Sequence, residues 1–369
     1  MIVQSTMNSK NYCVIMGGGI GSRFWPKSRE SKPKQFLDIF GVGRSLLRMT
    51  FDRYAQFIPV ENILVVTNES YRDQVLEQLP ELSASQVLLE PMRRNTAPCI
   101  AYACYHIQAK CPDANIIVSA SDHLILDEAK FIKSMQRSLD YVSSRDEIVT
   151  LGIRPSRPET GYGYIQIVPD DAKGEDDFYR VQTFTEKPNR ELAETFVQSG
   201  EFLWNSGMFI WNLPTIMKEF QSQLPEICML MDDGLDCFGT EREHAFIHEA
   251  FPRCPSISID YGIMEHAHHV MVLPVDFGWA DLGTWGSVYE LKDKDEQENV
   301  TLHGEAMYYN SRGNIVSMEN KNQLVVLEGI NDCIVAQSEG VLLVCHRAEE
   351  QRIKEFTSDA SERYDKKFD

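Results

Sequence analysis

The chain is poor in the features that would make it a membrane, secreted or nucleic-acid-binding protein. Its 369 residues contain no uninterrupted apolar run of the about 18 residues that would signal a membrane-spanning helix. The first residues, M-I-V-Q-S-T-M-N-S-K, have no basic segment leading into an apolar one, so no secretory leader is expected. Positive charge is scarce: 36 Lys and Arg stand against 55 Asp and Glu, a formal net charge of −19. A chain of that sign repels a polyphosphate backbone, which argues against a nucleic-acid partner. Nine cysteines, an odd number, are scattered with no C-x-x-C pair. They are expected as reduced, mostly buried thiols, which places the chain in the cytoplasm. The Walker pattern G-x-x-x-x-G-K-[ST] is missing. So is G-x-G-x-x-G, because Gly19-Ile20-Gly21 runs on to Phe24 where the third glycine belongs. No Ser-His-Asp or Cys-His arrangement is legible. What remains, 43% hydrophobic and 25% charged residues, is the composition of an ordinary globular protein of two or three domains.

One stretch organises the rest. Tyr12 to Met16 is a short apolar run that predicts a buried strand, and Gly17, Gly18, Gly19 and Gly21 follow at once. Glycines allow a tight bend whose N–H groups face an anion. Between Arg23 and Lys34 come five cations, Arg23, Lys27, Arg29, Lys32 and Lys34, against the single anion Glu30. A strongly acidic chain that concentrates positive charge beside a glycine turn is expected to bind phosphate there.

Apolar periodicity then alternates strands and helices up to Leu151. Strands are expected at 62–67, 86–89, 115–119 and 147–151, and helices at 45–57, 69–79, 96–109 and 128–143. That order implies parallel pairing in a doubly wound α/β sheet, whose ligands gather at the carboxyl ends of the strands. From Gly161 the pattern changes to strands at 162–167, 179–184 and 208–211 with helices between them, which reads as an insertion. The charged stretch Glu290–Glu298 reads as a solvated linker. Beyond it, short strands broken by Asn and Gly turns predict an irregular β-rich, β-helix-like domain, followed by a helix at 348–356. The expected domains are therefore 1–290 and 291–369.

Several segments carry polar residues where such a sheet would present them. In Glu90-Pro91-Met92-Arg93-Arg94-Asn95-Thr96-Ala97-Pro98, Asn95 or Thr96 is suited to cap a helix whose free N–H groups would face a ligand. Ser121-Asp122-His123 follows a strand, where an aspartate is either a turn former or a ligand. Gly161-Tyr162-Gly163-Tyr164, Thr185-Glu186-Lys187-Pro188 and Trp204-Asn205-Ser206-Gly207 combine carboxylate, amide, aromatic ring and glycine, the chemistry that grips sugar hydroxyls. Gly278-Trp279-Ala280-Asp281-Leu282-Gly283 closes the set.

In this order the segments resemble the sugar nucleotidyltransferases over roughly Val14 to Leu291. The string G-G-x-G-x-R-x-W-P-x-S-R-x-x-x-P-K-Q-F is similar to the branch that moves a guanylyl group onto mannose 1-phosphate. The resemblance implies a Rossmann-like, GT-A-like mixed sheet and a reaction between GTP and mannose 1-phosphate that yields GDP-mannose and pyrophosphate. It implies Arg23 and Lys34 as catalytic. Gly18, Gly19, Gly21, Arg94, Asn95, Thr96 and Ser121 would hold the nucleotide, and Gly163, Glu186, Lys187 and Asn205 the sugar phosphate. Asp122 and Asp281 would be ligands of Mg²⁺. Asp260, in a further family-like segment, is equally read as a helix cap.

Four other readings stand beside this one. A regulatory paralogue would have lost some of Arg23, Lys34, Asp122 and Asp281, and all four are present. A dinucleotide oxidoreductase lacks its third glycine. A bifunctional enzyme carrying a metal-dependent isomerase is disfavoured because only His303 and His346 follow Asp281. A different base or hexose remains open. The β-rich end, with no catalytic constellation, is expected to serve stability or self-association, with a homodimer as the default.

Overall fold

A computed structural model of the protein describes residues 7–167, 177–365 and 367–368. Its strands are β1 (Asn11–Met16), β2 (Ile63–Asn68), β3 (Val87–Glu90), β4 (Asn115–Ala120), β5 (His123–Ile125), β6 (Ile148–Ile153), β7 (Tyr164–Ile167), β8 (Tyr179–Thr185), β9 (Phe202–Asn212), β10 (Val270–Val275), β11 (Trp279–Asp281), β12 (Val300–His303), β13 (Glu305–Tyr309), β14 (Ile315–Ser317), β15 (Leu324–Glu328), β16 (Cys333–Ser338) and β17 (Val341–His346). The chain divides into two compact units. The first takes Met1–Gly18, Phe51–Ser121 and Ile125–Trp279; the second takes Gly19–Thr50, Asp122–Leu124 and Ala280–Asp369.

The first unit is a nine-stranded sheet in the order β3-β2-β1-β4-β9-β6-β10-β8-β7. β3, β2, β1 and β4 pair in parallel, with Val14 opposite both Leu64 and Val118. β9 then pairs antiparallel with both β4 and β6, so the sheet is mixed. Its central strands are buried along most of their length, as continuous Val/Ile/Leu runs demand when both faces are covered. The helix Thr96–Gln108 buries eleven successive residues, Ala97 to Ile107, which its nearly unbroken apolar sequence predicted. The strands expected to form an insertion do not stand apart. β7, β8 and β9 belong to the same sheet, and β9 starts at Phe202, six residues before the expected strand. No helix among the described residues is long and apolar enough to cross a membrane.

The division into compact units differs from the expected boundary at 290. Residues 19–50 and 280–291 fold together with the β-rich end, not with the sheet. Their common core joins Phe24, Trp25, Leu37 and Leu46 to Trp285, Val300, Ile315, Ile334, Leu343 and Ile353. β12, β14 and β16 stack in parallel with β17 antiparallel beside them, and β13 and β15 form a second parallel ladder. The charged stretch after Leu291 is a folded turn and not a loose linker. The Asp295 carboxylate accepts the N–H groups of Gln297 (3.0 Å) and Asn299 (2.7 Å), and the buried Asn299 amide donates to Ser311 O at 3.1 Å. The last α-helix, Ile353–Arg363, extends well beyond the expected end at residue 356.

Candidate active site

Of the loop glycines, Gly21 alone is required by its own geometry. Its φ of 68° is left-handed, and a Cβ there would overlap the Cβ of Lys34. Gly18 and Gly19 have room for a side chain, so packing does not require glycine there. Gly21 opens a short 3₁₀ turn, Ser22–Phe24, that carries Arg23. The Lys34 N–H donates to Ile20 O at 3.1 Å, closing the loop on itself.

Lys34 is the hub of the second unit's polar residues. Its side chain is 6% exposed, and its Nζ lies 2.8 Å from Asp122 Oδ2 and 4.0 Å from Asp281 Oδ1. The same ammonium donates to Leu282 O at 2.5 Å. Two aspartates 159 positions apart in sequence therefore meet on one cation, as the sequence requires if both serve one site. Burial works against the charge of Asp122, yet the Lys34 ammonium and His123 hold its carboxyl below the usual carboxylate range. Arg23 joins them. A Cβ built on Gly283 would lie 3.5 Å from Arg23 Nη1 and 3.6 Å from Asp281 Oδ2, so the guanidinium and the carboxylate border the same glycine.

The density of cations in the loop overstated the phosphate site. Lys27 donates to Met318 O at 2.7 Å, and Arg29 donates to Ser338 O and Glu339 O at 3.1 and 3.3 Å. Both are turned to the β-rich strands. Arg23 and Lys34 are the two loop cations placed beside the aspartates.

In the first unit, the residues expected to hold a sugar come together at the ends of three adjoining strands. Gly163 precedes β7, Glu186 follows β8 and Asn205 lies on β9, with Asn205 N–H donating to Gly163 O at 2.8 Å. A Cβ on Gly163 would overlap Glu186 Oε2, which explains the glycine. Lys187, itself in the left-handed region, pairs with Glu186 Oε1. Burial pulls the Lys187 ammonium down, but the Glu186 carboxylate outweighs it and the group is raised.

Asp260 belongs to this cluster, and the cap reading missed it. Its Oδ1 accepts from Asn205 Nδ2 at 2.9 Å. Burial, and then the neighbouring Glu186, push its carboxyl up to about 6. Asn205 Oδ1 is meanwhile taken by Gly207 N–H at 3.0 Å and the Thr150 hydroxyl at 3.4 Å. Two carboxyls, and not the amide alone, thus define the polar face. The sequence signal for it was the family-like segment around Asp260, which reads equally as a helix cap.

The helix start at Asn95 differs from expectation. Thr96 N–H donates to the Asn95 side chain at 3.0 Å, Ala97 N–H to Ile257 O at 3.1 Å, and Pro98 has no N–H. The donors expected to be free for a ligand are used within the protein. Arg94 donates to Pro252 O, and Thr96 Oγ1 accepts from Ile259 N–H at 2.8 Å. That bond ties the segment to the residue just before Asp260. Ser121 is buried and its N–H donates to Met16 O at 3.1 Å. Glu90, at the end of β3, is buried with its carboxyl pushed up to about 7 by desolvation.

Among the described residues no group of three or more His, Cys, Asp or Glu side chains could hold a metal ion. Asp122 and Asp281 bring two carboxylates, hard oxygen donors, to the Lys34 ammonium. That pair suits Mg²⁺, which commonly takes one or two carboxylates and completes its octahedron with phosphate oxygens and waters.

This combination of a mixed α/β sheet, a glycine turn and two aspartates on a loop lysine defines a class. The nucleotidyl transferase family model matches residues 12–298, and the chain belongs to that family. Within it the chain belongs with the mannose-1-phosphate guanylyltransferases. It is 39% identical over 351 residues to the mannose-1-phosphate guanylyltransferase of Salmonella muenchen, covering 94% of this chain and 72% of that one. Identity to the enzyme of the same name from Escherichia coli K12 is 36% over 353 residues, with the same two coverages. A solved structure from Thermus thermophilus, described as a mannose-1-phosphate geranyltransferase, superposes with a TM-score of 0.85 at 30% identity, over 95% of this chain and 99% of that one.

Proposed function

We propose that the chain transfers GMP from GTP to mannose 1-phosphate, releasing pyrophosphate and forming GDP-mannose. The observation that carries the mechanism is the shared ammonium of Lys34 between Asp122 and Asp281, with Arg23 beside them. The named relatives supply the base and the sugar. A phosphate oxygen of mannose 1-phosphate attacks the α-phosphorus of GTP, and the bond from that phosphorus to the departing pyrophosphate breaks. The nucleophile is already ionised near neutral pH, so the protein's work is positioning and charge neutralisation. Arg23 and Lys34 supply fixed positive charge for the triphosphate and the leaving pyrophosphate. The backbone of Gly18, Gly19 and Gly21 and the side chains, not the helix-start N–H groups, of Arg94, Asn95, Thr96 and Ser121 are assigned to nucleotide binding. A Mg²⁺ ion held by Asp122 and Asp281 would add charge neutralisation at the phosphates.

Glu186 and Asp260 are assigned to the sugar hydroxyls, with Gly163 giving access and Lys187 serving the sugar phosphate. Asn205 holds Asp260 in place. A site built on polar partners discriminates strongly once a partner is lost. Glu186→Gln is expected to raise the KM for mannose 1-phosphate at least tenfold while GTP affinity stays within about twofold. Steady-state kinetics with calorimetry of GTP binding checks this. A collapse of GTP affinity with an unchanged sugar KM would reverse the assignment.

The nine cysteines are free thiols, which supports our placing the chain in the cytoplasm. The two parallel ladders of the second unit read as turns of a short β-helix. Met307, Tyr309, Leu324 and Val326 are exposed on β13 and β15, and we assign that apolar face to a homodimer contact.

A further inference from the structure

We infer that Ser28 and Arg29 are positioning residues for the transfer reaction, acting as a latch through which the β-rich strands set the place of Arg23 and Lys34. The inference rests on the assignment of those two cations to the site.

Arg29 has only 6% of its surface exposed, although it carries a charge. Its Nη2 reaches the carbonyls of Ser338 and Glu339, in the turn between β16 and β17, at 3.1 and 3.3 Å. Its Nε lies 3.3 Å from Glu339 Oε2 and donates weakly to Pro26 O at 3.4 Å. The receiving turn is itself held. Glu339 is left-handed at φ 46°, and its N–H donates to Glu319 Oε2 at 2.9 Å. One planar fork thus spans two backbone carbonyls and a carboxylate, a task a lysine cannot copy.

Ser28 passes this anchorage to the glycine loop. It is 1% exposed, and its hydroxyl donates to Gly21 O at 2.6 Å. Gly21 is the residue with no space for a Cβ against Lys34, and it immediately precedes the turn bearing Arg23. The Gly21 carbonyl also accepts the Phe24 N–H at 2.9 Å, so the Ser28 hydroxyl is the side-chain half of a two-donor clamp, and its loss slackens the hold on the loop that bears both cations. Two further bonds brace the same segment. Lys27 Nζ donates to Met318 O at 2.7 Å, and Trp25 Nε1 donates to Phe368 O at 3.1 Å. None of these four side chains contacts the aspartates; they fix the backbone that presents Arg23 and Lys34.

The latch predicts a loss of rate without loss of sugar recognition. In the full chain, assayed well below each variant's Tm, Ser28→Ala and Arg29→Lys should each lower kcat about tenfold, since small misplacements of reacting groups cost one to two orders of magnitude. The KM for mannose 1-phosphate should stay within about twofold, because the sugar cluster is untouched. Amide exchange in residues 19–24 should quicken, a change that lost packing elsewhere would not produce. Arg29→Lys keeps the charge and most of the volume, so it reports even if Ser28→Ala folds poorly. If both variants keep kcat within about twofold of the parent and unchanged exchange in 19–24, with only a lower Tm, the latch is purely structural and the inference is overturned. Arg23→Ala is run beside them. Near-parental turnover in Arg23→Ala would reject the site assignment itself, whereas an inactive Arg23→Ala with a fully active Ser28→Ala rejects only the latch.

Discussion

Asp122→Asn and Asp281→Asn are each expected to lower metal-dependent turnover by about 10²–10³-fold, the usual cost of removing one preorganised charge from a transition state. Both carboxylates face the Lys34 ammonium, and in the proposed mechanism both would offer Mg²⁺ the hard oxygen atoms it prefers. The two variants should differ in stability. Asp281 is 4.0 Å from the ammonium and about a third exposed, so its loss should leave the Tm nearly unchanged. Asp122 is 2.8 Å from a lysine that is otherwise buried, so its loss should lower the Tm as well. The pH dependence follows from the direction of the Asp122 shift. Its carboxyl is lower in the folded than in the unfolded chain, so its stabilising contribution is complete above the ordinary carboxylate range and is lost as pH falls through the folded value. Asp122→Asn should therefore flatten the acid limb of the stability profile. Thermal scans across pH 2–6, roughly the carboxylate range, together with turnover at a series of Mg²⁺ concentrations, check both statements. A variant of either aspartate with parental Mg²⁺-dependent turnover would remove the metal assignment.

Ending the chain at Leu291 is expected to abolish activity by unfolding the second unit. The β-rich end looked like a module for stability or self-association, separable from the chemistry. Instead Phe24, Trp25, Leu37 and Leu46, which flank the glycine loop and Lys34, share one core with Val300, Ile315, Ile334, Leu343 and Ile353. Each such side chain contributes about 1.5–3 kcal/mol when buried. Removing five of them exceeds much of the 5–15 kcal/mol or so that typically separates folded from unfolded chains. The truncated chain should express poorly, lose near-ultraviolet circular dichroism and show no transfer. A soluble, cooperatively folding chain of residues 1–291 with parental kcat would restore the separable-module reading.

The elements of the first unit were legible because each repeats locally. The Val/Ile/Leu runs of β1, β2 and β4 and the apolar helix 96–108 need no distant partner to be recognised. The sugar-type segments of the first unit were legible for a related reason: Gly163, Glu186 and Asn205 lie on or next to β7, β8 and β9, which adjoin in one sheet. What stayed hidden depends on partners far along the chain. The acceptors of Lys27 and Arg29 are backbone carbonyls 291 and 309 positions away, and a carbonyl leaves no mark in a sequence. Counting charge therefore included both cations in the positive charge beside the glycine turn. The use of Ala97 N–H by Ile257 O was hidden in the same way. Asp260 looked like a cap because its partner Asn205 is equally remote, and the charged turn after Leu291 looked like a linker because Asp295 satisfies backbone N–H groups that no pattern displays.

The most direct test of the proposed reaction is a pyrophosphate-release assay on the full chain, crossing ATP, GTP, CTP and UTP with mannose 1-phosphate and glucose 1-phosphate in the presence of Mg²⁺. The predicted result is release with GTP and mannose 1-phosphate at least tenfold above every other pair, abolished by Asp281→Asn, in keeping with the discrimination polar sites achieve. Equal or greater release with another nucleotide or with glucose 1-phosphate, or no release with any pair from a folded chain, would contradict it.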